Sequence, residues 1–394
     1  MKKLKYIIPT LGLCAIALSA TGAEFETLVD KVVANSPTLQ ADRLRMESEL
    51  EALKNENTLS NPEVEFERLW RSGEGENRWS AGISQEIDWP GTYGARRKAI
   101  SALARAQDAE TSAAEINERV RASQAIIGII AARKEIAILE EIHTSMQQLE
   151  AKLLTAWNHG EATILDVNKV KIETIRSASR LETARTQLRS LEGELNAMTG
   201  GDVVITIPAD LDMPVTPLKS ENAYLEAMES SPMLAALNLA LEAAECQTTL
   251  AKTSRLPGFS IGYNHAYEDG AHFNGFSIGM TLPVWSRKHN TKSAADNALA
   301  ARFDVIARRT QLASQIHTDY SSAESLYSQM GQYGPLVEGV NNLTLLRKAF
   351  DGGELNLLNY LQEVNYFLEA RLDYLSLTKE YAMLATSLTA LFQR

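Results

Sequence analysis

The sequence predicts a mainly α-helical chain, built twice over, that carries two β-hairpins. Three observations predict it. The first is a motif written twice. Trp157-Asn158-His159-Gly160-Glu161, with Leu165-Asp166-Val167 downstream, returns as Phe350-Asp351-Gly352-Gly353-Glu354, with Leu358-Asn359-Tyr360 downstream; the two Gly-Glu pairs lie 193 positions apart. Upstream, Asn35-Ser36-Pro37 is echoed by Ser230-Ser231-Pro232, and Trp79-Ser80-Ala81-Gly82-Ile83-Ser84 by Phe276-Ser277-Ile278-Gly279-Met280-Thr281. A repeat this long marks one duplicated structural unit, not a solenoid, whose period is roughly 20 to 50 residues. The second observation is long proline-free stretches with apolar residues at helical spacing, and the third is a switch to period two in four short segments.

Residues 1–23 read as a secretory signal peptide. Lys2, Lys3 and Lys5 give a basic start, Tyr6 to Leu18 is apolar apart from Pro9 and Thr10, and Thr21-Gly22-Ala23 supplies small residues for cleavage. The stretch is too short to serve as a membrane span. Its removal takes away three lysines and moves the formal charge from −11 to −14, which argues against a nucleic-acid partner. It also leaves Cys246 alone, so no intramolecular disulfide can form.

The first copy spans 24–199. A helix from Glu24 to Leu59 carries a start signal at Ser36-Pro37. A hairpin at about 62–89 follows: Val64 and Phe66 alternate with Glu63, Glu65 and Glu67. After a turn at Ser72-Gly73-Glu74-Gly75, Trp79, Ala81, Ile83, Gln85 and Ile87 alternate with Ser80, Gly82, Ser84 and Glu86. From Thr92 to Trp157 the composition is helix-forming, which at 1.5 Å per residue predicts a helix of roughly 100 Å. A turn at about 158–162 leads to a second helix, Thr163 to Met198. On it Leu181, Leu188, Leu191, Leu195 and Met198 form a coiled-coil seam.

Gly200-Gly201, Pro208, Pro214 and Pro217 mark a linker at 200–220. The second copy, 221–394, repeats helix, hairpin at about 257–284, long helix, turn at about 351–354 and helix. Phe259, Ile261 and Tyr263 alternate with Ser260, Gly262 and Asn264. Beyond Glu268-Asp269-Gly270, Phe276, Ile278, Met280 and Leu282 alternate with Ser277, Gly279 and Thr281. The long helix should break near Gly331, Gly334 and Pro335. On the last helix Leu357, Leu361, Val364, Leu368, Leu372 and Leu375 keep the three-four rhythm.

After residue 23 no apolar run approaches the length of a transmembrane helix, so any membrane entry would use strands. Each strand has the length that crosses a bilayer when tilted. Four strands do not close a barrel, and open edges in lipid leave backbone groups unpaired, so membranous strands require several chains to share one barrel. Three chains give twelve strands and two give eight. The apolar face would meet lipid, and the face of Ser80, Gly82, Ser84, Ser260, Gly262, Ser277 and Gly279 would line water. The alternative is a small soluble sheet packed on the helical domain.

The two Gly-Glu turns and the two hairpins at matching positions resemble the TolC-type outer membrane factors over essentially the whole mature chain. Ile83-Ser84-Gln85-Glu86-Ile87-Asp88-Trp89-Pro90-Gly91, followed by Arg96-Arg97, is similar to the heavy-metal cation efflux, CzcC-like branch of that family. The resemblance implies a homotrimer with a twelve-stranded barrel in outer-membrane lipid and a coiled-coil tunnel across the periplasm of a Gram-negative cell. It implies a passive exit duct, served by a periplasmic adaptor (membrane fusion) protein and an inner-membrane transporter of the resistance-nodulation-division (RND) class. It also implies that the helical turns dock the adaptor, which assigns this contact to Gly160, Glu161, Leu165, Asp166, Gly353, Glu354, Leu358 and Asn359. Acidic rings near the tip gate cations in the family. Here the residues beyond the second turn are Asn359 and Gln362, so a gate or cation ring falls to Asp166 and Glu363, with solvated helix faces as the alternative.

The residues show no Gly-rich phosphate loop, HExxH, GxSxG or CxxC, so neither an enzyme nor a cofactor is expected. The six histidines have no metal-site spacing: His265 and His272 flank the second hairpin turn without a Cys or HxxxH pattern to support them. Three functions fit the sequence. The first is an exit duct for divalent heavy metals, the second an outer channel for multidrug or type I protein export. The third is a periplasmic coiled-coil scaffold or adaptor without a channel.

Overall fold

The structure is a computed structural model that describes residues 12–70, 72–73, 77–283, 289–337 and 342–393, with side chains from residue 22 onward. The basic start of the expected signal peptide, and Glu74 and Gly75 of the first hairpin turn, lie outside the described residues. In chain order the elements are α1 (Gly12–Ala34), α2 (Pro37–Glu56), β1 (Glu63–Leu69), β2 (Arg78–Ile87), α3 (Pro90–Asn158), α4 (Ile164–Met198), α5 (Glu221–Glu229), α6 (Pro232–Thr253), β3 (Gly258–Glu268), β4 (Ala271–Thr281), α7 (Asn290–Val337), α8 (Asn342–Asp351) and α9 (Leu357–Ala390).

The two Ser-Pro signals act as helix starts. Ser36 accepts a hydrogen bond from the Leu39 amide at 3.5 Å, and Ser231 caps α6 by accepting from Leu234 at 3.4 Å. Proline follows at the first helical position, where its missing N–H costs nothing. The expected single helix over Glu24–Leu59 is therefore split into α1 and α2. In the second copy α7 continues through Gly331, Gly334 and Pro335 to Val337, so none of the three interrupts it. Gly334 is buried, and a side chain there would meet the Tyr374 hydroxyl at 3.3 Å. Its absence of a side chain therefore serves close packing and does not break the helix.

The chain forms two compact units. The repeat boundaries do not separate them, because each draws on both copies. One unit comprises Ala41–Ala113 and Glu229–Leu312 and holds the sheet. All four strands are antiparallel in the order β1-β2-β3-β4, which leaves β1 and β4 as the edges. The register places Phe66 opposite Ala81, Ile83 opposite Val64 and Tyr263, Ile261 opposite Ile278, and Phe259 opposite Met280. Paired residues share a face, so the expected apolar face is continuous across the sheet. Much of it is bare: Phe276 is 85% exposed and Ile278 83%.

The other face carries Glu63, Glu65 and Glu67 with Ser80, Gly82, Ser84, Ser260, Gly262, Ser277 and Gly279. Small residues are required on it. A Cβ on Gly262 would lie 2.6 Å from the Ser277 Oγ, and one on Gly279 would strike the Ser260 Oγ. Below the sheet Ala102, Ala106 and Ala243 form a core with Leu103, Leu239 and Cys246.

The turn from β2 into α3 consumes the segment that carries the branch resemblance. Pro90 opens the helix, and the Thr92 amide donates to the Trp89 carbonyl at 2.8 Å. Arg96 donates to the Asp88 carboxylate at 2.8 Å, and the Asp88 amide donates to the Tyr93 hydroxyl at 3.0 Å.

The other unit comprises the chain up to Gln40, Ala114–Met228 and Ala313–Arg394. Its first core joins Val29, Val32, Ala122, Ile126, Ile129, Leu195 and Ala382. The linker is irregular, as its prolines require, but it is not loose. Ile207, Leu211 and Met213 are buried in that core, and Arg133 donates to the Ile207 carbonyl at 2.8 Å. The buried Tyr381 hydroxyl donates to the Thr216 carbonyl at 2.6 Å. Burial, with smaller contributions from Tyr327 and Tyr224, pushes the Tyr381 pKa up to about 12.

An unfolded tyrosine titrates near pH 10, so this contribution is full below about pH 10 and is lost as the pH climbs toward the folded value. Tyr381→Phe should be less stable than wild type at neutral pH by about 1 kcal/mol. The gap should close between pH 10 and 12. Thermal melts of the two proteins across that range test it; a gap independent of pH would refute the assignment.

Candidate functional site: two paired helical turns

The turn after α3 and the turn after α8 have the same backbone. Gly160 and Gly353 adopt φ of +76° and +77°, a conformation in which a side chain would be strained. The Gly160 amide donates to Trp157 at 2.9 Å and the Glu161 amide to Ala156 at 2.8 Å. The Gly353 amide donates to Phe350 at 3.0 Å and the Glu354 amide to Ala349 at 2.9 Å. Each set is a Schellman motif that satisfies the last carbonyls of its helix.

Three residues beyond each glycine stands the cap of the next helix. Thr163 accepts from the Asp166 amide at 3.2 Å, and Asn356 accepts from the Asn359 amide at 2.9 Å. Glu161 and Glu354 stand two residues before the cap of the following helix, with their amides turned back to the helix that ends. The acidic residue in the first turn of α4 is Asp166; α9 has none.

Asp166 is held locally. It accepts the Thr163 hydroxyl at 2.6 Å and lies 3.5 Å from Lys169 Nζ. The Thr163 hydrogen bond, helped by Lys169 and opposed by partial burial, holds its carboxyl below the ordinary range. Glu363 is exposed on α9.

The structure brings the two turns together. Lys152, near the end of α3, bonds Asp351, the last residue of α8, at 2.6 Å and lies 5.9 Å from the Phe350 ring centroid. The Lys152 hydrogen bond and charge, with Arg347 adding, lower the Asp351 pKa. The pair is solvent-exposed and contributes little to stability. Beneath it α3, α4, α8 and α9 share a second core: Leu139, Ile142, Met146, Leu149, Val170, Leu181, Leu343, Leu361, Val364 and Leu368. The expected seam residues of α4 and α9 are the ones packed there and in the first core. Arg180–Glu369 at 3.0 Å and Arg371–Glu141 at 2.6 Å tie α9 to its neighbours.

Above this bundle Leu165 is 67% exposed and Leu358 55%. The sequence reading missed the caps Thr163 and Asn356 and the Lys152–Asp351 link. Thr and Asn three residues after the glycine were signals for the caps. The link depends on tertiary pairing and has none.

Tyr360 follows Asn359 and is fully buried, yet its hydroxyl has no hydrogen-bond partner among the described residues. In the first turn the buried Val167 occupies the corresponding place. A buried unpaired hydroxyl costs about 1–3 kcal/mol. Tyr360→Phe, which keeps the ring against Phe350 (centroids 4.9 Å apart), should therefore raise the melting temperature by a few degrees. An unchanged or lower melting temperature would mean that the hydroxyl is satisfied.

This combination of a four-stranded antiparallel sheet and long paired helices is the fold of outer-membrane channel proteins. The structure of CusC superposes with a TM-score of 0.76 over 93% of this chain and 91% of that one, at 16% identity. A membrane protein from Pseudomonas aeruginosa gives 0.78 over 94% and 90%, at 17% identity. The CmeC outer membrane channel of Campylobacter jejuni gives 0.73 over 93% and 85%, at 16% identity. No protein-family profile matches the chain, and no curated protein matches it in sequence.

Proposed function

We propose that three copies of this chain form the outer-membrane exit duct of a tripartite efflux pump, with divalent heavy-metal cations as cargo. The observation that carries the reading is the sheet: four strands with two unpaired edges and a bare apolar face. In water that face is a liability, and in lipid the edges are forbidden unless neighbouring copies close them. Three copies of the sheet give twelve strands. Aromatic residues stand at both ends of the apolar face: Trp79 and Tyr267 pack 6.4 Å apart at one, Trp89 and Phe259 5.8 Å apart at the other. The eight residue steps from Phe259 to Tyr267 span roughly 26 Å at ~3.3 Å per step, close to the apolar band and girdles of membrane barrels.

On this reading the paired turns are the periplasmic tip. Gly160, Glu161, Leu165, Asp166, Gly353, Glu354, Leu358 and Asn359 dock an adaptor, and the exposed Leu165 and Leu358 supply apolar contact. An RND-class inner-membrane transporter drives the flux. Asp166 and Glu363 are the candidate cation ring. The heavy-metal cargo rests on the Ile83–Gly91 resemblance.

One observation favours a second cargo reading. Asp88, Tyr93 and Arg96 satisfy one another in a strand-to-helix corner, so that segment has a structural task that any exported substrate would share. Multidrug or protein export is therefore the alternative. Growth of a deletion strain on Cu, Zn, Co, Ni, Cd, bile salts and antibiotics separates them. Sensitivity to divalent metals alone supports metal efflux. Sensitivity to bile salts or drugs with normal metal tolerance moves the cargo to organic substrates. Recovery of the protein as a soluble monomer would overturn the channel itself.

A further inference from the structure

The second hairpin turn is two residues long, Asp269 and Gly270, with φ of +47° and +81°. Positive φ at both central residues is the pattern of a type I′ turn, which fixes the register of the strands it joins. It pairs Tyr267 with His272 and His265 with Asn274. His265 and His272 are thereby diagonal neighbours on one face, although seven residues separate them in sequence. His265 Nε2 and His272 Nδ1 face each other at 3.4 Å, and the ring centroids are 5.4 Å apart.

A second layer supports one ring. The other nitrogen of His265, Nδ1, lies 2.6 Å from Asn274 Oδ1, and the Tyr263 hydroxyl donates to the same oxygen at 3.0 Å. An amide oxygen only accepts, so Nδ1 carries the proton and Nε2 keeps its lone pair. Donating the distal N–H to a carbonyl oxygen is how metal-binding histidines are oriented in proteins.

The separation suits two uses of the pair. At 3.4 Å it is a long hydrogen bond between the two rings. Two imidazole nitrogens ~2.05 Å from one tetrahedral ion stand roughly 3.3–3.4 Å apart. The torsion that aims an imidazole is soft, so both lone pairs converge with little rotation.

We propose that His265 and His272 form a binding site for a divalent d-block ion such as Zn²⁺ or Cu²⁺. Asn274 and Tyr263 act as the orienting groups, and because the pair lies beside the hairpin turn, at the Trp79 and Tyr267 end of the apolar face, water completes the coordination. Among the described residues no group of three or more His, Cys, Asp or Glu side chains is placed to hold a metal, so this is a two-ligand site of modest affinity. The inference concerns the hairpin alone and does not rest on the channel reading.

Trp79 provides a reporter, because its ring lies 5.3 Å from that of His265. The test is titration of the detergent-solubilised mature protein with ZnCl₂ by calorimetry and with CuSO₄ by quenching of tryptophan fluorescence. Wild type should bind one ion per chain with Cu²⁺-dependent quenching. His265→Gln and His272→Gln should each weaken binding at least tenfold and abolish the saturable quenching. Asn274→Leu, which leaves both ligands in place, should weaken it by about tenfold through loss of orientation. His272 and Asn274 are exposed and His265 is half-buried on the face of the sheet, so the variants should fold, and unchanged circular dichroism checks this. Absence of binding by wild type overturns the proposal. Undiminished binding by His265→Gln/His272→Gln overturns it equally, by placing the ion elsewhere.

Discussion

Ile278→Lys should abolish assembly of the protein in the outer membrane. Ile278 lies mid-strand on β4, 83% exposed on the apolar face and paired with Ile261. A lysine facing lipid near the bilayer midplane costs about 2–4 kcal/mol, and the proposed trimer would bear that cost three times in each barrel. The expected result is loss of trimer from the outer-membrane fraction and accumulation of unassembled chain. Gly275→Lys is the control. Gly275 pairs with Asn264 on the opposite face, and nothing lies within 4 Å of a side chain placed there. It should assemble normally. Equal assembly of both variants would mean that the apolar face does not meet lipid; equal failure would mean that the strands tolerate no added charge on either side.

Gly353→Pro should eliminate pump-dependent resistance while leaving the trimer in place. Proline fixes φ near −65°, whereas Gly353 sits at +77°, and the substitution also removes the amide that donates to Phe350 at 3.0 Å. The local cost is about 3 kcal/mol or more. It falls on an exposed turn in the unit that does not contain the strands, so barrel assembly should survive. Gly353→Ala, with open space around the new methyl group, carries only the ~1–2 kcal/mol of a left-handed residue and should be mild. Glu354→Lys reverses a charge without touching the backbone bonds and should weaken adaptor crosslinking. Full resistance and intact crosslinking in both Gly353→Pro and Glu354→Lys would remove the turns from the docking assignment.

The strands were legible because their environment alternates strictly. Phe259, Ile261 and Tyr263 share a face with Ile83 and Ile278 for the same reason that they alternate in sequence: the strand period is two. The turns were legible because a left-handed position needs glycine, and Gly160 and Gly353 recur in matched settings. Local propensity marks Gly334 and Pro335 as helix breakers, whereas packing of Gly334 against Tyr374 lets α7 run on through them to Val337. Of the corner residues, Asp88 and Arg96 are legible only as part of a resemblance and Tyr93 not at all, since their mutual bonds form in three dimensions. His265 and His272 were set aside because linear spacing was the criterion. The Asp269-Gly270 turn makes them neighbours through the register it sets, which linear spacing does not express.

The two helical turns share a backbone and differ in side chains. A protein that recognises such a turn through its backbone shape and its exposed leucine would meet two nearly interchangeable landing points on every chain. What separates them is chemical: Trp157 against Phe350, His159 against Gly352, Asp166 against Asn359, and a lysine-paired Asp351 where the first turn has Asn158. Any partner that must choose one landing point over the other therefore has to read these few side chains, and exchanging Asp166 with Asn359 is the smallest change of formal charge that would confuse its choice.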